Sequence, residues 1–292
     1  MVAAPAAPMR SQDAIKTYRY LRIGMIGAVL LLGASIAIER AKVSCWQTSV
    51  SAYYYTPVRA IFVGTLLAVG LSLIVYKGTG LEDVCLNFAG ILAPVVAVAP
   101  TTDVGACWSV APSPRPVNPD GSLAGWVVQN IDNNIHALLI AGGVGLVVAF
   151  VTAMVAGRSV LAPLNQVERG TSLSLGVTAL ALVVGWWLIE RWDDFDTRAH
   201  GFAAVLMFVF LIGAIVANAV RRGADRGAAW TRAYAAVAAG MVAGGALIAA
   251  TRVFGEHTVF ALEAYEIALF ALYWIIQTAE SWNERVIGSL PG

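Results

Sequence analysis

Charge is what this sequence has least of. Asp, Glu, Lys and Arg together make up 13% of 292 residues, where an ordinary soluble domain has roughly 25%. With 59% hydrophobic residues and a mean hydropathy of +0.72, the chain falls outside the soluble globular class and reads as an integral membrane protein. Lysine is reduced to Lys16, Lys42 and Lys77 against sixteen arginines. These cations are dispersed and the net charge is +1, which excludes the basic patch that nucleic acid requires. No GxSxG, P-loop, dinucleotide fingerprint, CxxC or HExxH occurs, and the enzyme classes that depend on those motifs drop out. Ala, Val, Gly and Arg are abundant, as in a GC-rich bacterial genome, so the expected location is the bacterial plasma membrane.

What the chain does have is long apolar runs. Runs of spanning length, about 17 to 25 residues, occur at 22–38, 59–76, 84–100, 134–157, 172–189, 199–219, 233–250 and 258–278. The expected fold is all-α, a polytopic transmembrane helical bundle of eight spans. Pro94 interrupts the third run and Pro100 closes it; if 84–100 is re-entrant, seven spans remain. No apolar run with a small-residue cleavage site precedes the first span, which is therefore expected to stay as a helix.

Loop charges orient the bundle. With eight spans, twelve Lys and Arg fall on the N-terminal side, among them Arg158, Arg285 and the RRGADRG stretch Arg221 to Gly227, against seven on the other. This predicts both termini inside: a cytoplasmic tail 1–21, a membrane domain 22–278 and a cytoplasmic tail 279–292. The one long loop, 101–133, is then outside. Its four prolines, Pro112, Pro114, Pro116 and Pro119, argue against regular structure there.

Two smaller signals bear on packing. Cys45 and Cys107 both fall on the outer side, where an oxidising compartment permits a bridge, or they are two unrelated thiols. Gly240 and Gly244 form a GxxxG pair in the seventh span, suited to close helix contact within the chain or to a dimer face.

The eighth span contains Glu263 and Glu266, three residues apart on one face. An acidic residue at membrane depth costs roughly 2.5 to 3.5 kcal/mol and is a functional-site hypothesis by default. Arg40, Arg59 or Arg252 could neutralise them, and Tyr265 or Tyr273 could donate hydrogen bonds. Alternatively one glutamate, Glu266 first because it lies deeper, is protonated, or the two form a structural hydrogen-bonded pair.

Two spans open alike, with Asp132 and His136 on the fourth and Asp196 and His200 on the sixth. The remaining histidine, His257, opens the eighth. All three are expected at the outer boundary, and imidazole with carboxylate suits zinc. The candidate ligands are His136, His200 and Glu263, with His257 as substitute. The competing reading makes Asp132 and Asp196 helix N-caps.

A second polar cluster, Ser49 to Thr56 with Tyr53, precedes Arg59 at the outer end of the second span, while Glu82 and Asp83 read as the acidic first turn of the third. Ser51, Tyr53 to Thr56, Arg59, Phe62 to Gly64, Tyr76 to Gly78, Asn87, Gly90 and Pro100-Thr101 form a pattern that resembles a widespread bacterial family of uncharacterised multi-span membrane proteins. The His136 span with Phe150 and the Leu262-Glu263 pair are similar to it too. The resemblance implies a compact helical membrane domain with Arg59, His136 and Glu263 at shared polar positions, and no particular activity. A looser resemblance is to the alkaline ceramidase and progestin-receptor-like membrane hydrolases, seven-span proteins that hold zinc. The chain departs from them in lacking an HxxxH pair on its last helix, where Glu263 stands instead.

The expected function is an outward-facing polar pocket that binds a lipid, an amphiphile or a cation, lined by Arg59, Tyr53, Glu263 and Glu266, with His136 and His200 beside them. Two other classes stay open: a metal-dependent hydrolase of a lipid amide or ester, and an accessory subunit that meets a membrane-protein partner through loop 101–133.

Overall fold

The computed structural model describes residues 7–78, 80–105, 107–155, 166–221 and 227–282. The interior of the basic stretch expected at 221–227 lies outside them, as do Arg158 and Arg285. Among the described residues there are eight α-helices: α1 Ala7–Val43, α2 Arg59–Val75, α3 Leu81–Val98, α4 Gly125–Val155, α5 Gln166–Arg191, α6 Phe195–Val220, α7 Ala228–Thr251 and α8 Thr258–Ser281. Short 3-10 turns at Ser51–Tyr55 and Gly255–His257 precede α2 and α8. An isolated bridge between Val117 and Leu123 is the only extended pairing among the described residues. Six helical stretches are long and apolar enough to cross a membrane: Lys16–Val43, Leu81–Val98, Gly125–Thr152, Phe195–Val220, Ala228–Thr251 and Gly255–Ser281. The all-α bundle read from the apolar runs is present.

Six helices close a ring. α1 packs on α2, α2 on α3, α3 on α6, α6 on α7, α7 on α8, and α8 returns to α1; α4 and α5 pack on each other and on α3. The ring encloses a core of Met25, Leu73, Leu86, Ile215, Met241, Phe270 and Trp274 with their neighbours.

The helix whose run Pro94 interrupts is the most enclosed of the six. Within α3, 61% of the apolar window is buried, against 6% in α4. A helix surrounded by protein has no need of large lipid-facing side chains. Ala89, Ala93 and Ala97, one turn apart, are fully buried, and Ala93 lies against α2 at Gly70. A Cβ on Gly70 would lie 2.8 Å from the Gly90 carbonyl and from Pro94 Cδ, and one on Gly90 would lie 2.7 Å from the Gly70 carbonyl. Two backbones in contact at small residues are the membrane route to tight helix packing. Pro94 sits within one continuous 18-residue helix.

Helix boundaries depart from the apolar runs where a helix is amphipathic. α4 begins at Gly125, two turns before the run at 134, because Val127, Ile131 and Ile135 bury one side against Ala97, Ala99 and Ala199 while Gln129, Asn130 and Asn133 occupy the rest. Loop 101–133 is correspondingly shorter. α1 begins at Ala7 and its 37 residues extend about 55 Å, well beyond the ~30 Å of a hydrocarbon core.

Candidate functional site

At the N-terminal end of α8 the segment between α1 and α2 folds over the helix start. Phe260 N–H donates to the Thr48 carbonyl at 2.9 Å, and His257 Nδ1 meets the Gln47 carbonyl at 3.1 Å. The 3-10 turn Ser51–Tyr55 begins with backbone N–H groups that need acceptors, and Glu263 supplies them. Val50 N–H donates to Glu263 Oε2 at 2.6 Å, Ser51 N–H to the same oxygen at 3.3 Å, and Ser51 Oγ to Oε1 at 2.9 Å.

None of the three arginines weighed as counter-charges serves Glu263. Arg59 donates to the Tyr54 hydroxyl at 2.7 Å and lies over that ring at 4.4 Å. Arg40 lies over Trp46 at 5.4 Å, and Arg252 is the left-handed cap of α7. Neutral donors on the backbone and Ser51 take their place. Tyr53 belongs to the same cluster, beside Phe260 at 6.3 Å between centroids. Burial raises the hydroxyls of Tyr53 and Tyr55 above the usual tyrosine range.

The cap over this cluster is tied down covalently. Cys45 and Cys107 form a disulfide, which resolves the alternatives left open by their spacing. Gln47 Nε2 donates to the Cys107 carbonyl at 2.5 Å, and buried Glu39 accepts the Ser109 N–H and hydroxyl at 2.9 and 2.8 Å. Tyr55 OH reaches the Thr101 carbonyl at 2.8 Å. Asp120, exposed in the cap, is held below the usual carboxylate range by hydrogen bonds from Ser122.

One turn deeper, Glu266 is in a different situation. It is 6% exposed, and its Oε2 has no hydrogen-bond partner. Glu263 and Glu266 do not bond to each other, so the structural pair considered from sequence is absent. Its neighbour on α7 is Gly245, where a Cβ would lie 2.6 Å from Glu266 Oε1. The Gly240 and Gly244 pair serves contact within the chain: Tyr265 OH donates to the Gly240 carbonyl at 2.9 Å and lies against Gly244, where a Cβ would collide with it.

The histidines are separated. His136 Nδ1 contacts the carbonyl and carboxylate of Asp132 at 2.8 and 3.1 Å, and its ring meets Trp186 edge-on at 5.4 Å. His200, buried, places Nδ1 2.7 Å from the Ala99 carbonyl at the end of α3. His257 serves Gln47 as described. Asp132 and Asp196 are near enough to interact electrostatically, so the two Asp-His openings do approach one another. Neither is an N-cap: Asp132 lies inside α4 and Asp194 precedes α6. Among the described residues no group of three His, Cys, Asp or Glu side chains is arranged to hold a metal ion. His136, His200, His257 and Glu263 share an end of the bundle without sharing a site.

At the opposite end the ring contains a polar centre that the sequence reading missed. Glu82, taken there as a helix-start acid, is 2% exposed. Its Oε1 accepts Asn218 Nδ2 at 2.7 Å, Gln277 Nε2 at 2.8 Å and Tyr273 OH at 3.4 Å. Asn218 also donates to Tyr273 OH at 3.0 Å. The neighbouring Asp83 accepts Gly78 N–H at 3.2 Å and Asn87 Nδ2 at 3.3 Å, with Lys77 at 3.6 Å. Arg22 of α1 donates to the Tyr76 hydroxyl at 2.7 Å and to Ser281, and Tyr234 of α7 to Glu280 at 2.5 Å. The signal available beforehand was two amides, Asn218 and Gln277, inside apolar runs.

Along α8, positions 263, 266, 270, 273, 277 and 280 alternate in steps of three and four and so lie on one face. Five of these six are polar: Glu263, Glu266, Tyr273, Gln277 and Glu280. Phe270, buried in the core, separates an N-terminal half with two carboxylates from a C-terminal half that meets Glu82 of α3 through Gln277 and Tyr273. Compared with family models, curated proteins and solved structures, the chain matches none.

Proposed function

We propose that the chain is a multi-pass protein of the bacterial plasma membrane, with all eight helices crossing and both termini inside, which binds a lipid, an amphiphile or a cation at the polar face of α8. The observation that carries this reading is that face itself, with Glu266, Tyr273 and Gln277 buried on it and Glu82 meeting it from α3. Ionisable groups at membrane depth are costly, and where they occur they mark substrate and ion pathways. The disulfide supports the orientation, because a bridge that ties the 44–58 segment to loop 101–124 persists in an oxidising exterior. The segment 49–101, which carries the family resemblance, is also the one that wraps Glu263.

Thermal unfolding of the purified protein in mild detergent, titrated with sodium, potassium, choline and phospholipids of different headgroup, tests the proposal. A rise in melting temperature with at least one of these, reduced by a conservative change on the α8 face such as Gln277→Leu, is expected. A melting temperature indifferent to every one of them contradicts it.

A further inference from the structure

The geometry points to a separate lipid site on α5: a groove for the headgroup of a zwitterionic phospholipid, one that has an ammonium beyond its phosphate. The groove does not involve the α8 face, and it rests on α5 crossing the membrane as proposed above. α5 meets α4 through Leu182 and Gly185: a Cβ on Gly142 would lie 2.7 Å from Leu182, and one on Gly185 would lie 3.2 Å from Leu139. On the side left open, Val183, Trp186, Trp187, Glu190 and Arg191 line a cavity of about 530 Å³, within the roughly 300 to 1,000 Å³ of small-molecule sites. Positions 183, 186, 187, 190 and 191 follow the three- and four-residue steps of one helix face, so the five form a single surface.

Each lining group has a counterpart in such a lipid. The apolar run of α5 ends just before Glu190, and Arg191 stands about 12 Å of helix rise beyond Val183, so the groove runs from acyl depth to headgroup level. Between these ends, Trp186 and Trp187 are 48% and 60% exposed. Indole faces attract ammonium groups, and Trp186 is held from α4 by the His136 ring, edge-on at 5.4 Å. Glu190 and Arg191 form no ion pair and no hydrogen bond among the described residues, and Arg191 lies over neither indole. A guanidinium pairs with phosphate oxygens and a carboxylate with an ammonium, so one zwitterionic headgroup meets both charges. Exposed tryptophans alone mark a membrane interface; a cavity that adds one unpaired charge of each sign beside them marks a headgroup site. An anionic headgroup would satisfy Arg191 and be repelled by Glu190.

Native mass spectrometry of the full chain in mild detergent, with phosphatidylethanolamine or phosphatidylglycerol of identical acyl chains added, tests the site. The expected result is that the parent retains phosphatidylethanolamine about tenfold more tightly. Glu190→Gln should abolish that preference by weakening phosphatidylethanolamine alone, Trp187→Leu should weaken it too, and Arg191→Gln should weaken both lipids. Equal retention of the two lipids by the parent, or a preference that Glu190→Gln and Trp187→Leu leave unchanged, overturns the proposal. A dimer that Trp187→Leu dissociates would show a second copy of the chain on this face and overturn it as well. Val183→Cys, probed with a charged maleimide in membranes opened to both sides, separates the site from the reading beneath it. Rapid labelling removes the crossing of α5 and the site with it, whereas protection of that cysteine without a headgroup preference removes the site and leaves the crossing standing.

Discussion

Glu263 accepts the hydroxyl of Ser51 at 2.9 Å across 212 residues of sequence, and that bond joins the last helix to the turn that leads into the second. The carboxylate works as a cap supplied by a distant element: it satisfies donors that the short turn exposes and needs no cation. Removing it strands the Val50 and Ser51 N–H groups in a buried position. Glu263→Ala is expected to lower stability by about 3 kcal/mol and Ser51→Ala by about 1 kcal/mol, since charge-assisted hydrogen bonds are worth more than neutral ones. Equilibrium unfolding in detergent measures both, and a Glu263→Ala protein as stable as the parent would remove the capping role.

The α2–α3 crossing gives a paired prediction with an internal control. Gly90→Ala drives a methyl onto the Gly70 carbonyl, which is backbone and has nowhere to move, and is expected to cost about 1 to 3 kcal/mol as overpacking. Gly64→Ala on α2 meets nothing within 4 Å and is expected to be neutral or to stabilise by up to about 1 kcal/mol through helix propensity. Equal melting temperatures for the two variants would mean that the backbones do not touch.

The Cys45–Cys107 bridge closes a long loop, with a sequence separation of 62. Its loss in Cys45→Ser/Cys107→Ser is expected to cost about 2 to 4 kcal/mol. Added reductant should lower the melting temperature of the parent to that of the double variant and leave the variant unchanged. Cys85, buried against Gly213, should stay unreactive to maleimide in the folded protein throughout; rapid labelling of it would contradict the α3–α6 packing.

At the Glu82 centre the geometry ranks three donors to one carboxylate oxygen. Asn218→Leu, which removes the 2.7 Å bond to Glu82, is expected to cost about 2 kcal/mol, and Tyr273→Phe, at 3.4 Å, under about 1 kcal/mol. A double-mutant cycle between Asn218→Leu and Gln277→Leu should give a coupling of about 1 kcal/mol, because both act on one oxygen. Independent, additive losses would show that the centre is not a single network.

The helical class and most helix positions were legible because apolar length reports lipid exposure directly, and so were the pairing-competent cysteines and the close contact at Gly240 and Gly244. α3, read as a span with re-entrance as the alternative, is one continuous helix: Ala89, Ala93 and Ala97 are small because it is enclosed, and hydropathy cannot distinguish enclosure from weakness. The carboxylates of α8 stood out, but their partners did not. Glu263 is served by backbone N–H groups, which every sequence possesses at every position, so no residue type announces them. Tyr273, weighed as a donor to the α8 glutamates, turns to Glu82, and that choice depends on the azimuth of α3 in the ring. The histidines were expected together at helix starts, yet α4 begins at Gly125 and leaves His136 well inside the helix, and each ring meets a different carbonyl, of Asp132, Ala99 or Gln47.

A density map of the protein in lipid nanodiscs prepared with sodium tests the central claim most directly. The account predicts that the α8 face with Glu263, Glu266, Tyr273 and Gln277 looks into the ring formed by α1, α2, α3, α6, α7 and α8, with non-protein density in contact with a carboxylate on that face. A map in which that face meets lipid, or in which it is packed by protein alone with no such density, would contradict it.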